Sequence, residues 1–162
     1  VFIQTRYTTN KGDVMRKGEM LNNALVLMVN RHAGQFDKGG NPYSLHCLKV
    51  MHYLKSDDEE LQCIALAHDL IEDTPTTFAE LKEMGFTDRV IEGIRALTKM
   101  PGESYDDYKV RVICNPDAIK VKLCDLRHNT DVRRLKGVNQ KDLDRMEKYH
   151  RFFIELSMIN NA

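Results

Sequence analysis

The chain has 162 residues, of which 42% are hydrophobic and 30% charged, a size and balance that fit one soluble domain able to bury a core without disulfides. Lys plus Arg (24) equal Asp plus Glu (24), which argues against a nucleic-acid binder working through bulk charge and leaves only a local basic patch. With no Trp and 7% aromatic residues, a platform for stacking bases is not expected either.

Residues 1–17 are polar and aperiodic and read as an N-terminal arm, with one domain over 18–162. From Glu19, apolar residues Leu21, Ala24, Leu25, Met28 and Val29 recur at three and four, predicting a helix that ends near His32–Gly34. The Gly/Asn/Pro-rich stretch GQFDKGGNPYS is a loop and a natural wall for a site. A helix follows from about Ser44 to Leu54. The next is capped by Asp57 or Asp58 and runs to about Glu72, stopping before Pro75. A short helix starts at Thr76 or Thr77 and ends at Gly85. Further helices are expected over Asp88–Lys99, Ser104–Cys114, Pro116–Leu135 and about Lys141–Ile159. No segment alternates with period two, so the fold class is all-α, a bundle of about eight helices.

Cys47, Cys63, Cys114 and Cys124 form no CxxC pair and read as reduced thiols. No stretch approaches a membrane span, and the first residues lack the apolar core of a signal peptide. The expectation is a cytoplasmic protein with no membrane partner.

The informative helix is 57–73. Its stripe begins with Leu61, Ile64 and Ala65 and continues through His68, Ile71 and Glu72, with Asp69 beside His68 and Asp73 one turn further on. Burying several ionisable groups together is costly unless they are paired or bind a cation. Adjacent His and Asp side chains on a helix point about 100° apart and can converge on one ion. Two ligands do not complete a site, and His46, after the Gly/Pro loop, and Asp125, within VKLCDLRHN, are candidates for the others. Two imidazoles with two carboxylates suit manganese or iron, with zinc less favoured because no thiolate is present. Such an ion would acidify a water and polarise a phosphorus. Glu72 and Asp73 are placed as general acid/base groups. Lys38, Lys122 and Arg127 are candidate phosphate binders, with Arg133 and Arg134 weaker ones. His32, His52, His128 and His150 are assigned to packing or surface, His128 least firmly because it sits one turn past Asp125.

Four ordered blocks, HAGQFDKGGNPYSLH, AHDLIEDT, LTKM and VKLCDLRHN, resemble the hydrolase domain of RelA/SpoT proteins over roughly residues 20–156, with small stand-alone alarmone hydrolases nearest in size. The resemblance implies an HD-type fold and a metal, usually manganese, held by His46, His68, Asp69 and Asp125. It implies Glu72 and Asp73 as the catalytic pair and Lys38 and Asn129 at the substrate site. The implied reaction removes the 3′-pyrophosphate from guanosine tetra- or pentaphosphate, giving GDP or GTP. The family commonly has Arg-Lys in the first loop, the Arg helping to hold guanine. Here Asp37 precedes Lys38, which moves the choice of base to this loop. Cys47 stands where a Pro usually follows the first metal His. No synthetase domain follows in this sequence, so a stand-alone hydrolase is expected. Two other readings stand beside it: hydrolysis of another nucleotide (an adenosine alarmone, NADPH or a nucleoside triphosphate), or a nucleotide-binding module without turnover. The intact Glu72–Asp73 pair speaks against the last. Oligomeric state stays open, a homodimer included.

Overall fold

The computed structural model describes residues 15–161, so most of the arm expected over 1–17 lies outside the described residues. Those residues form nine α-helices and no strand: α1 (Glu19–Arg31), α2 (Ser44–Leu54), α3 (Glu59–Ala67), α4 (Leu70–Asp73), α5 (Phe78–Glu83), α6 (Asp88–Leu97), α7 (Tyr105–Ile113), α8 (Pro116–Asn129) and α9 (Gln140–Asn160), with a 3₁₀ turn at Val132–Arg134. The only extended pairing among them is an isolated bridge between Phe36 and Pro42. Helix starts follow the caps written in the sequence. Asp58, Thr77, Thr87, Ser104, Asn115 and Asn139 each accept from backbone N–H groups of the first turn, and Asn139 forms a reciprocal capping box with Asp142.

Helix α3 is the centre of the molecule and packs against α1, α2, α6 and α8. Cys63, Ile64, Ala65, Leu66 and Ala67 are all fully buried, so this helix is apolar all round where a surface helix carries only a stripe. Gly93 lets α6 come close to it, since a Cβ there would sit 2.5 Å from Ile64 Cδ1. Burial of the second half of α3 is what places the residue that follows it, His68, in the interior.

Two predicted helices are shorter than their apolar pattern suggests. The one expected to reach Glu72 breaks at Asp69 (φ −102°, ψ −1°) and resumes as the single turn α4. The one expected to reach Leu135 ends at Asn129, because side-chain donors take its last carbonyls. Thr130 Oγ1 donates to Leu126 O at 2.9 Å, and Arg134 Nη1 donates to His128 O at 2.9 Å. Arg111 similarly closes α6, donating to Arg95 O and Thr98 O while gripping Glu103 with two nitrogens. The strand of chain after α6 is thereby fixed, and it presents the Lys99 N–H to Glu72.

The loop between α1 and α2 is held by Asp37. Its Oδ1 accepts from Gly39 N and Asn41 N, both at 2.9 Å, and its Oδ2 pairs with Arg134 Nη2 at 3.0 Å. Gly39 lies so near that a Cβ would meet the Arg134 carbonyl oxygen at 2.2 Å, a backbone atom with nowhere to move. Burial raises the Asp37 carboxyl, but hydrogen bonds from Asn41 and Arg134 outweigh it and hold it below the usual range. A depressed carboxylate stabilises the fold fully above its unfolded value of about 4, and that contribution fades as pH falls through the lowered folded value. Asp37→Asn and Arg134→Ala should each destabilise the protein, with a coupling of about 1–3 kcal/mol in the double-mutant cycle. Urea unfolding at pH 7 measures the coupling, and the gap between wild type and Asp37→Asn should narrow below about pH 4.

Candidate metal centre

Four side chains from three helices converge beneath the first loop. His46 is on α2, His68 and Asp69 sit at the break after α3, and Asp125 is on α8. His46, His68 and Asp125 are buried, and Asp69 is partly so. His46, His68 and Asp69 offer ligand atoms all within 4.8 Å of one another, a grouping able to hold a metal ion. His46 Nε2 lies 3.2 Å from Asp125 Oδ1 and 3.6 Å from Asp69 Oδ2. His68 Nε2 lies 2.9 Å from Asp69 Oδ2 and 3.7 Å from Asp125 Oδ1.

Despite these approaches, both Nε2 atoms are buried without a hydrogen-bond partner. Three of the four, His46, His68 and Asp69, gather their ligand atoms in one group, and Asp125 Oδ1 lies 3.2 Å from one imidazole and 3.7 Å from the other. Buried imidazole nitrogens are rarely left this way, and a cation among the four atoms would satisfy them all. Burial disfavours charge on both rings, yet Asp69 and Asp125 more than offset it and push both imidazole pKa values up. The same coupling holds both carboxyls below their usual range against their own burial. The centre thus demands positive charge, and the nitrogen and oxygen donor set fits a divalent metal.

Each candidate ligand is oriented from behind, as metal ligands require. His68 Nδ1 donates to Ala65 O at 2.7 Å, which turns the Nε2 lone pair toward the centre. His46 Nδ1 lies 2.7 Å from His128 Nδ1, with the two rings stacked 4.9 Å apart. Burial, then the nearby Arg134 and His46, lower the His128 pKa to about 4, so at neutral pH it is an uncharged acceptor for the His46 N–H. The Tyr43 hydroxyl donates to Asp69 Oδ2 at 2.7 Å. Asp125 is flanked on its own helix: Lys122 Nζ holds Oδ2 at 2.9 Å and Asn129 Nδ2 holds Oδ1 at 2.6 Å.

Glu72 and Asp73 stand on α4 just beyond, both open to solvent at one side. The break at Asp69 places them on a separate single turn after His68. Glu72 Oε1 accepts the Lys99 N–H, and Gln35 Nε2 reaches Asp73 O at 2.8 Å. Partial burial raises both carboxyls, helped by the negative charge of Asp69.

The remaining sequence candidates occupy different places. Lys38 is mostly exposed and lies 3.7 Å from Asp142. Lys122 is partly buried against Asp125, and Arg127 is exposed and stacks over the Tyr53 ring at 4.1 Å. Asn129 has its amide engaged at both ends, by Asp125 and by Arg134 Nη1 at 3.1 Å. A pocket of about 280 Å³ opens beside the centre, lined by residues that include Phe36, Lys38, Tyr43, Asn129, Arg145 and Tyr149. Tyr43 and Asn129 therefore touch both the pocket and the candidate ligands.

Sequence reasoning passed over Tyr43, Arg145 and Tyr149, and assigned His128 to packing or surface, least firmly of the four histidines so assigned. The signal for His128 was present, since it lies three residues after Asp125 and on the same helix face. Tyr43 lies in an irregular loop and Arg145 and Tyr149 come from distant α9, so no period announces them.

No protein-family model matches the chain. Among curated proteins, it is 32% identical over 121 residues to the guanosine-3′,5′-bis(diphosphate) 3′-pyrophosphohydrolase of Aquifex aeolicus, covering 68% of this chain and 17% of that protein. It is 30% identical over 135 residues to the GTP pyrophosphokinase rsh of Brucella ovis, covering 76% and 18%. It is 29% identical over 122 residues to the bifunctional (p)ppGpp synthase/hydrolase SpoT of Escherichia coli K12, covering 67% and 17%. The chain thus spans less than a fifth of the length of these relatives. Among solved structures, a metazoan orthologue of SpoT, described as hydrolysing ppGpp and acting in starvation responses, superposes with a TM-score of 0.73 at 21% identity, covering 91% of this chain and 95% of that one. That likeness is one of fold. In sequence, 68–76% of this chain is similar to one segment of the first two of these RelA/SpoT-type relatives.

Proposed function

We propose that this chain is a metal-dependent pyrophosphohydrolase that removes the 3′-pyrophosphate of guanosine tetra- or pentaphosphate. The observation that carries the reading is the pair of buried, unpartnered Nε2 atoms of His46 and His68, grouped with Asp69 and facing Asp125 Oδ1, beside a pocket of about 280 Å³. His46, His68, Asp69 and Asp125 are the proposed ligands; the mixed imidazole and carboxylate set suits Mn²⁺ or Fe²⁺, with Zn²⁺ less favoured, and the resemblance to RelA/SpoT hydrolase domains selects Mn²⁺. When bound, the ion supplies an acidified water and a Lewis acid for phosphoryl oxygens.

The protein's own groups supply the rest. Lys38 and Arg145 line the pocket and offer cations to the phosphates of the nucleotide. The Glu72 carboxyl, raised by burial, suits a proton acceptor that later returns its proton to the leaving oxygen. The Lys99 N–H fixes one of its oxygens and leaves the other for this task. Asp73 acts beside it to orient the attacking water.

A second reading keeps the chemistry and changes the base. Asp37 is consumed by its own loop and by Arg134, so this loop presents no cation to a base at that position. Its neighbour Phe36 lines the pocket with 65% of its surface exposed, a neutral face that discriminates weakly among bases.

Purified protein with Mn²⁺ should release pyrophosphate from guanosine tetraphosphate, and Glu72→Gln should keep the metal while losing about 10²–10⁴-fold in kcat. Assays against an adenosine alarmone, NADPH and nucleoside triphosphates run in parallel. Turnover of adenine compounds with guanosine tetraphosphate untouched would select the second reading.

A further inference from the structure

We propose that Lys122 is a positioning residue that keeps Asp125 a one-oxygen ligand and so preserves an additional open coordination position at the metal. The inference rests on the ligand set proposed above. A carboxylate with both oxygens free can close on an ion with one or with two of them. Asp125 has no such freedom. Lys122, three residues earlier on α8, holds Oδ2 at 2.9 Å, and Asn129, four residues later, holds Oδ1 at 2.6 Å. The two donors flank Asp125 on the same helix face, one turn before it and one turn after, and between them fix the rotation of the carboxylate. Oδ1 is the oxygen that meets the imidazoles, at 3.2 Å from His46 and 3.7 Å from His68, while Oδ2 is taken by Lys122.

Lys122 is enclosed between Asp125 and Tyr108, with its charge also felt at Glu72. Its side chain is only 17% exposed, its ammonium lies 5.5 Å from the centre of the Tyr108 ring, and it is absent from the lining of the nucleotide pocket. A phosphate contact, the role its sequence position suggests, would require breaking the ion pair with Asp125. An ammonium this close to a metal ligand also opposes binding of a cation, so retaining it weakens the site unless it performs a separate service. Keeping Oδ2 away from the ion is that service. With four single-atom protein ligands, a six-coordinate ion keeps two positions, one for the attacking water and one for a phosphate oxygen. A two-oxygen Asp125 would leave one.

The test is the number of waters on bound Mn²⁺, read from water-proton relaxivity, for wild type, Lys122→Met and Lys122→Arg, alongside Mn²⁺ affinity. The expected result is that Lys122→Met binds Mn²⁺ at least as tightly as wild type and its bound-ion relaxivity falls to about half, one water of two being lost. Lys122→Arg should keep the wild-type relaxivity, and kcat should fall in the Met variant with KM little changed. Wild-type relaxivity in Lys122→Met overturns the proposal, and a raised KM with that relaxivity identifies a phosphate contact instead. Lys122→Gln carries the same expectation and the same overturning result if the Met variant does not fold. A wild-type protein that binds no Mn²⁺ at all would overturn the metal reading and this inference together, which sets that outcome apart.

Discussion

The structure turns on the cost of placing two imidazoles and two carboxylates together in a protein interior. Transferring such groups from water is unfavourable unless charge is matched and lone pairs are used. Here the matching is incomplete without a cation, because the two Nε2 atoms find no hydrogen-bond acceptor among the side chains that surround them. The fold is arranged to present this strain at one point. The second half of helix α3 is buried and delivers His68 to the interior, and the chain breaks at Asp69 so that adjacent residues can turn to the same place. Helices α2 and α8 pack against α3 and bring His46 and Asp125 from either side.

A second layer then fixes the first. Ala65 O, His128, Tyr43, Lys122 and Asn129 each hold one candidate ligand, and all act on the atom or face turned away from the centre or on its shared oxygen. This layer extends to the substrate loop. Asp37 pairs with Arg134, Arg134 donates to Asn129, and Asn129 donates to Asp125, a continuous chain of hydrogen bonds from the loop to the centre. The loop that carries Phe36 and Lys38 is therefore held in register with the metal position by the same residues that orient a ligand. In the proposed function, Asp37 acts on substrate choice by fixing this loop, its own oxygens being already occupied.

Much of this was legible in the residues. The helical periods and the capping residues mark nearly every element, and His68 and Asp69 stand out because ionisable groups continue an apolar stripe. What escaped the sequence was set by tertiary contacts. The run 57–73 reads as one helix, since nothing local announces that Asp69 will leave helical geometry. The stretch 116–135 reads as one helix because the capture of its last carbonyls by Thr130 and Arg134 depends on where those side chains fold back. Lys122 reads as a candidate phosphate binder, and only the packing of Tyr108 and Asp125 shows that it is enclosed. Tyr43 gains its role from a contact 26 residues away along the chain, which no period encodes.

The most direct measurement is anomalous diffraction at the manganese edge from crystals of the protein grown with Mn²⁺. The expected result is one strong peak bounded by His46 Nε2, His68 Nε2, Asp69 Oδ2 and Asp125 Oδ1, lost in His68→Ala. A peak elsewhere, or none at this point with the four side chains in the arrangement described, would contradict the assignment of a metal centre.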